Sequence, residues 1–307
     1  MTAVHTTARR PIDLDDVPGW FPPLDQLLFT WLLERQARRE VRGDLLELGV
    51  YMGKSAVLLG QHLHGTEKFT VCDLFEGDAP DEANQAESTK SYASLTRQAF
   101  EENYLSFHDA LPKVVQAPSS VISDEVDPGT CRFVHIDASH LYEHVYGDIG
   151  AARELLGADG IVVLDDFRSE HTPGVSVAAW EAVLNRGLRP LCLSTQKLYA
   201  TWEDPEPLQD ELLGMLRERD DIALSVQQAA GHRLVRTKSK AVRAPSFPRS
   251  RHHVEHLAEP KAEPKAEPKA ASTPDPAPVR RRSPARRIAV DLTPPVITRA
   301  VRRARRG

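Results

Sequence analysis

The chain has 307 residues, 41% of them hydrophobic and 27% charged, enough to bury a sizeable core. Its net charge of −5 conceals a division: residues 238–307 hold 18 basic and 6 acidic side chains, a net of +12, which leaves −17 for residues 1–237. Three widely spaced cysteines without a CxxC pair argue against a disulfide framework or structural zinc, and no apolar stretch nears the ~20 residues needed to cross a bilayer. The first residues, MTAVHTTARRPIDLDD, lack the apolar run of a signal peptide, so a cytoplasmic setting is expected.

Leu24–Glu40 reads as a helix, with Leu24, Leu27, Leu28, Trp31 and Leu32 on one face, Pro22-Pro23 before it and Gly43 after it. A short apolar run, Leu45–Val50, predicts a strand, followed by a glycine-bearing loop and a helix near Ser55–His64. Phe69–Phe75 predicts a second strand, Ser91–Asn103 a helix, Val114–Ala117 a strand and Arg132–Asp137 another. In the next helix, Leu141–Leu156, the apolar side chains Leu141, Val145, Ile149 and Ala152 form a stripe, and Gly157–Gly160 breaks it. Asp148, on the same helix, is expected to be solvated. Ile161–Leu164 (IVVL) is a continuously apolar strand, Val175–Leu184 a helix, and Pro190–Ser194 and Ala223–Val226 late strands. This alternation predicts an α/β fold: a Rossmann-like, doubly wound, mostly parallel sheet with helices on both faces.

Residues 1–43 are expected to pack on the core or act as its lid, residues 44–237 to form the main domain, and residues 238–307 to be a disordered basic tail. The tetrapeptide repeat AEPKAEPKAEPKA (258–270) carries a proline in every unit and no apolar face, which suits an extended linker. The Arg clusters beyond it, Arg280–Arg282, Arg286–Arg287 and those within Arg299–Arg306, suit an anionic partner, if they do more than solubilise. The amphipathic first helix also allows a homo-oligomer contact.

The loop DLLELGVYMGKS (44–55) turns through Gly49 and Gly53 into a helix start, where unpaired N–H groups can meet a ligand. Its Gly-x-x-x-Gly spacing is not the dinucleotide G-x-G-x-x-G. A Walker loop fails because Leu48 stands where that loop needs glycine. Asp73 ends the second strand, where a ribose would need an acceptor. The stretch ELGVYMGKS resembles motif I of class I S-adenosylmethionine-dependent methyltransferases, with Glu47 and Gly49 in the expected places and Asp73 as the ribose acid. The resemblance covers most of residues 44–185. It implies that Glu47, Gly49 and Gly53 line the methionine end of S-adenosylmethionine. Tyr51, Ser55, Ser119 and Asp137, in the loops after the strands, are further candidate cofactor contacts.

Two further strand ends carry charge, in FVHIDASH (133–140) and IVVLDDF (161–167). A doubly wound sheet brings Asp137, Asp165 and Asp166 to the edge that holds the glycine loop. Three crowded carboxylates need a cation, and hard oxygen donors suit Mg²⁺ or Mn²⁺. His140 is placed to take a proton from a hydroxyl beside that metal. The pattern is similar to the metal-dependent O-methyltransferases of the catechol and sugar-modifying kinds. His140 matches the sugar-modifying kind, since the catechol kind has lysine there, and Ala138 departs from the glycine often found next to the first Asp. The resemblance implies an enzyme that methylates a hydroxyl of a small polar molecule, such as a sugar or a glycosylated natural product. Two rival readings remain: a nucleic-acid methyltransferase or binding protein led by the basic tail, which the acidic main domain disfavours, and a non-catalytic cofactor-binding scaffold.

Overall fold

A computed structural model describes residues 10–85 and 95–253 of the chain. Five strands run parallel: β1 (Asp44–Leu48), β2 (Phe69–Asp73), β3 (Lys113–Gln116), β4 (Cys131–Ile136) and β5 (Leu156–Leu164). Between and around them lie α1 (Pro23–Arg38), α2 (Lys54–Gly60), α3 (Arg97–Leu105), α4 (Tyr142–Leu155), α5 (Pro173–Asn185) and α6 (Glu206–Arg217). With β6 (Arg189–Leu193), β7 (Leu198–Thr201), β8 (Ile222–Ala229) and β9 (His232–Ser239), the sheet has nine strands in the order β3-β2-β1-β4-β5-β7-β6-β9-β8. The expected α/β, mostly parallel Rossmann-like sheet is present, and β7 and β8 run antiparallel to their neighbours.

The continuous apolar strands are explained by burial on both faces. Leu45, Phe133, Ile161 and Val163 face one apolar cluster with Leu28, Phe29 and Leu32 of α1. Their neighbours Leu46, Val134, Val162 and Leu164 face a second, with Val145 and Ile149 of α4 and Ala178 of α5. Helix α1 thus packs into the core, and each of its buried Leu and Phe side chains contributes roughly 1.5–3 kcal/mol. Gln36 at its end donates to the carbonyl of Arg132, whose buried guanidinium pairs with Glu67 at 2.9 Å and donates to the His62 carbonyl. That network ties α1, β4 and the turn before β2 together.

Several boundaries differ from the sequence expectation. β5 starts at Leu156, the last residue of the expected helix, and runs through Gly157–Gly160, expected only to break it, with Asp159 at φ 57°. The helix expected over Ser91–Asn103 begins at Arg97, and residues 91–94 lie outside the described ones. β7, α6 and β9 have no counterpart in the sequence expectation. β8 and β9 form a hairpin whose two turn residues, Ala230 and Gly231, both have positive φ (51° and 79°), as a twisted two-residue turn requires.

The boundary at residue 238 is corrected. β9 runs through Lys238 to Ser239, Val242 is buried, and Phe247 packs edge-on against Phe107 at 5.9 Å. The Ser250 hydroxyl donates to the Pro11 carbonyl at 2.6 Å. The change in charge therefore precedes the end of the packed fold: Lys238 is exposed at the end of β9, while Val235 and Thr237 of the same strand are buried. The repeat and the Arg clusters lie outside the described residues.

Candidate active site

A cavity of 1210 Å³ opens where the parallel strands end at their C-terminal tips. Its wall includes Gly49 and Tyr51 after β1, Asp73 at the tip of β2, Ser119 after β3, and Asp137 and His140 after β4. Asp165 and Asp166 after β5 complete the set. Ligands of such sheets bind at this edge.

The glycine loop is built around Asp73. Its Oδ2 accepts from the backbone N–H groups of Val50 (2.7 Å) and Tyr51 (3.1 Å), and its Oδ1 accepts from Phe75. Burial pushes this carboxyl up, against the pull of the three N–H donors. Gly49, at φ 78°, is needed because a Cβ there would lie 2.1 Å from the Asp137 carbonyl. Two expected cofactor residues stand behind the cavity wall instead of on it. Gly53 (φ 91°) precedes α2, where a Cβ would press on the Phe100 ring at 3.0 Å. Glu47 is fully buried under the loop; its Oε1 accepts from the Ser55 hydroxyl and lies 2.7 Å from His135 Nδ1, and its Oε2 has no hydrogen-bond partner. Ser55 itself is on the wall.

The acidic cluster divides in two. Lys197, just before β7, is 1% exposed and forms an ion pair with Asp165; its Nζ also lies 3.4 Å from His135 Nε2. Despite desolvation, the Lys197 ammonium holds the Asp165 carboxyl low. Burial, and next the Asp165 charge, push Asp137 well above the usual carboxylate range. Asp166 turns the other way, at φ 51°, and its Oδ2 sits 3.0 Å from His140 Nε2 while Oδ1 accepts from the Ser169 hydroxyl. Although burial opposes ionisation, the hydrogen bonds from His140 and Ser169 keep Asp166 below its ordinary value. Ligand atoms of Asp137, His140 and Asp166 all lie within 4.8 Å of one another, and so do those of His135, Asp137 and Asp165.

Of the expected trio Asp137, Asp165 and Asp166, Asp165 is thus paired with a cation of the chain's own, and the three acids fall into two groups that share Asp137. Lys197 carried no signal in the sequence, since a lone lysine beside a short apolar run usually reaches solvent. Asp148 is a second correction. Expected to be solvated, it is 2% exposed and lines the cavity. The spacing held the clue, for position 148 falls three residues after Val145 and seven after Leu141, on the buried stripe.

Residues 46–167 match the family model described as a methyltransferase domain. Over these residues the chain carries a methyltransferase domain. No curated protein matches the chain. Solved structures similar to this methyltransferase include the O-methyltransferase NovP, at 18% identity over 58% of this chain and 79% of that one, with a TM-score of 0.45. A second is CalS11, a TDP-rhamnose 3'-O-methyltransferase of calicheamicin biosynthesis, at 18% over 60% and 82%, TM-score 0.41. A third is TomG from Streptomyces achromogenes, in complex with S-adenosylmethionine, at 16% over 72% and 79%, TM-score 0.32.

The residues fit the cofactor of this domain. Gly49, which has no room for a Cβ, brings bare backbone to the cavity wall, and the Asp73 carboxylate stands beside it at the next strand tip. No helix among the described residues is long and apolar enough to cross a membrane.

Proposed function

We propose that this methyltransferase acts on a hydroxyl of a small polar molecule, a sugar or a glycosylated natural product, with His140 as the general base. The observation that carries the reading is the His140–Asp166 pair, 3.0 Å apart on the wall of the cavity that also holds the glycine loop. S-adenosylmethionine supplies a methyl group already activated on sulfonium, and Mg²⁺ would add polarisation of the acceptor oxygen. Asp137 and Asp166 supply the hard oxygen donors that would hold such an ion, with His140 beside them.

The chain's own residues account for the remaining steps. The cavity walls bring the acceptor oxygen in line with the methyl carbon, which converts an encounter into a positioned attack. The acceptor oxygen forms a C–O bond as the C–S bond breaks, and the electron pair stays on sulfur. The hydroxyl proton passes to the His140 imidazole, and the Asp166 carboxylate stabilises the resulting charge. Asp165, neutralised by Lys197, holds that ammonium under the site and leaves proton transfer to its neighbour.

The test is transfer of labelled methyl to a panel of hydroxylated metabolites and glycosides, with Mg²⁺ and with excess chelator. The expected result is O-methylation that depends on Mg²⁺ and is lost in Asp137→Ala. Full transfer in chelator would remove the metal from the account. Transfer only to nitrogen or carbon acceptors would remove hydroxyl chemistry.

A further inference from the structure

The acids that follow β4 and β5 outline two adjacent cation positions that share Asp137. The outer one, between Asp137, His140 and Asp166, is only partly buried and lies on the cavity wall. The inner one, between His135, Asp137 and Asp165, is drier, for His135 and Asp165 are both buried.

Lys197 already stands at the inner position. Its Nζ forms the ion pair with Asp165 Oδ2 and lies 3.4 Å from His135 Nε2, so it meets two of the three ligand groups. Burial opposes the ammonium charge, and the carboxylates of Asp165, Asp137 and Asp25 more than restore it. The other Asp165 oxygen, Oδ1, accepts from the backbone N–H of Asp166 at 2.8 Å, so both its oxygens are taken. Lys197 is not a surface lysine that an arriving ion could push aside. Its backbone N–H donates to the Ser194 hydroxyl oxygen at 3.0 Å, and its ammonium lies 5.8 Å from the centre of the Phe21 ring. Displacing it would leave a buried ammonium unpaired, which is the costly way to break such a pair. With the lysine gone, a divalent ion would favour the inner position, because charges attract more strongly in drier surroundings. That set does not include His140, the proposed base.

We propose that the Lys197 ammonium fills the inner position and so confines a divalent ion to the outer one, beside His140. Lys197 is thus a positioning residue, which acts through the place it denies the ion. The inference rests on the reading that the site holds a divalent metal.

The experiment titrates Mn²⁺ into the full chain and follows free Mn²⁺ by electron paramagnetic resonance. The wild type should bind through Asp166, so Asp166→Asn should weaken binding by at least about tenfold. Lys197→Met opens the inner position and should bind Mn²⁺ at least about tenfold tighter than the wild type. In that background Asp166→Asn should cost no more than a few-fold. A lysine that only held the fold together would give looser binding on removal, never tighter. Lys197→Met combined with Asp165→Asn removes both buried charges together, which spares the fold, and should bind within a few-fold of the wild type.

A Lys197→Met variant that binds no tighter, or that still needs Asp166, would overturn the inference. If that variant does not fold, the double variant decides. Affinity near the wild type supports the inference, and a loss of more than about tenfold would make Asp165 a ligand and overturn it. Failure of the wild type to bind Mn²⁺ would instead sink the metal reading itself, and the inference with it.

Discussion

Asp165 and Asp166 are consecutive in the chain and have opposite surroundings. Asp165 continues the strand direction into a buried network in which Lys197, His135 and Glu47 follow one another beneath the cavity floor. Asp166, one residue later and in left-handed backbone, swings out to His140 and Ser169 on the cavity wall. The same side chain pairs with a buried ammonium in one place and with an imidazole on the cavity wall in the other. What separates them is a single turn of backbone and the presence or absence of a buried ammonium.

The sharpest way to break this contrast is Asp166→Ala. Methyl transfer should fall by about 10²–10⁴-fold, the usual worth of a positioned acid–base pair. Titration with S-adenosylhomocysteine should show nearly unchanged affinity. Lys197→Met strikes the other half. Removing one member of a buried pair strands the Asp165 charge and should cost about 3–5 kcal/mol in urea unfolding. Adding Asp165→Asn to that variant should restore part of the loss. A single Lys197→Met variant as stable as the wild type would show that Asp165 draws its neutralisation from elsewhere.

Asp148 offers a third comparison, a buried carboxyl with no ammonium beside it. Its carboxyl is raised from an ordinary 3.8 to about 6, so folding favours the protonated form. The associated stability is fully present below the unfolded value and is lost as pH rises through about 6. Asp148→Asn, which cannot ionise, should therefore match the wild type in acid and exceed it near neutrality by on the order of 2–3 kcal/mol. Urea unfolding at both ends of that pH range checks the sign. The smallest effect should come from Ser169→Ala, which removes one hydrogen bond to Asp166. That is worth about 1 kcal/mol, and the expected loss in transfer rate is about tenfold or less.

Much of this architecture is legible in the sequence. IVVL announced a strand buried on both sides, and the acids at residues 73, 137, 165 and 166 marked one sheet edge because parallel strands all end there. What stayed hidden required contacts between distant segments. Lys197 reaches Asp165 across 32 positions of chain, and nothing local distinguishes it from a solvated lysine. The β8–β9 hairpin turns at Ala230-Gly231 and not at Asn-Gly, so its signal was faint, and the basic residues of β9 disguised a strand as the start of the tail. Asp148 was legible in spacing and misread from its charge, since ionisable residues seldom sit on a buried helix face.

The most direct test of the account is the rate of labelled methyl transfer by His140→Ala, measured on protein whose S-adenosylhomocysteine affinity has been verified. The account predicts a rate lower by at least about a hundredfold with cofactor affinity intact. Transfer at the wild-type rate would contradict it, for the imidazole beside Asp166 would then carry no proton in the reaction.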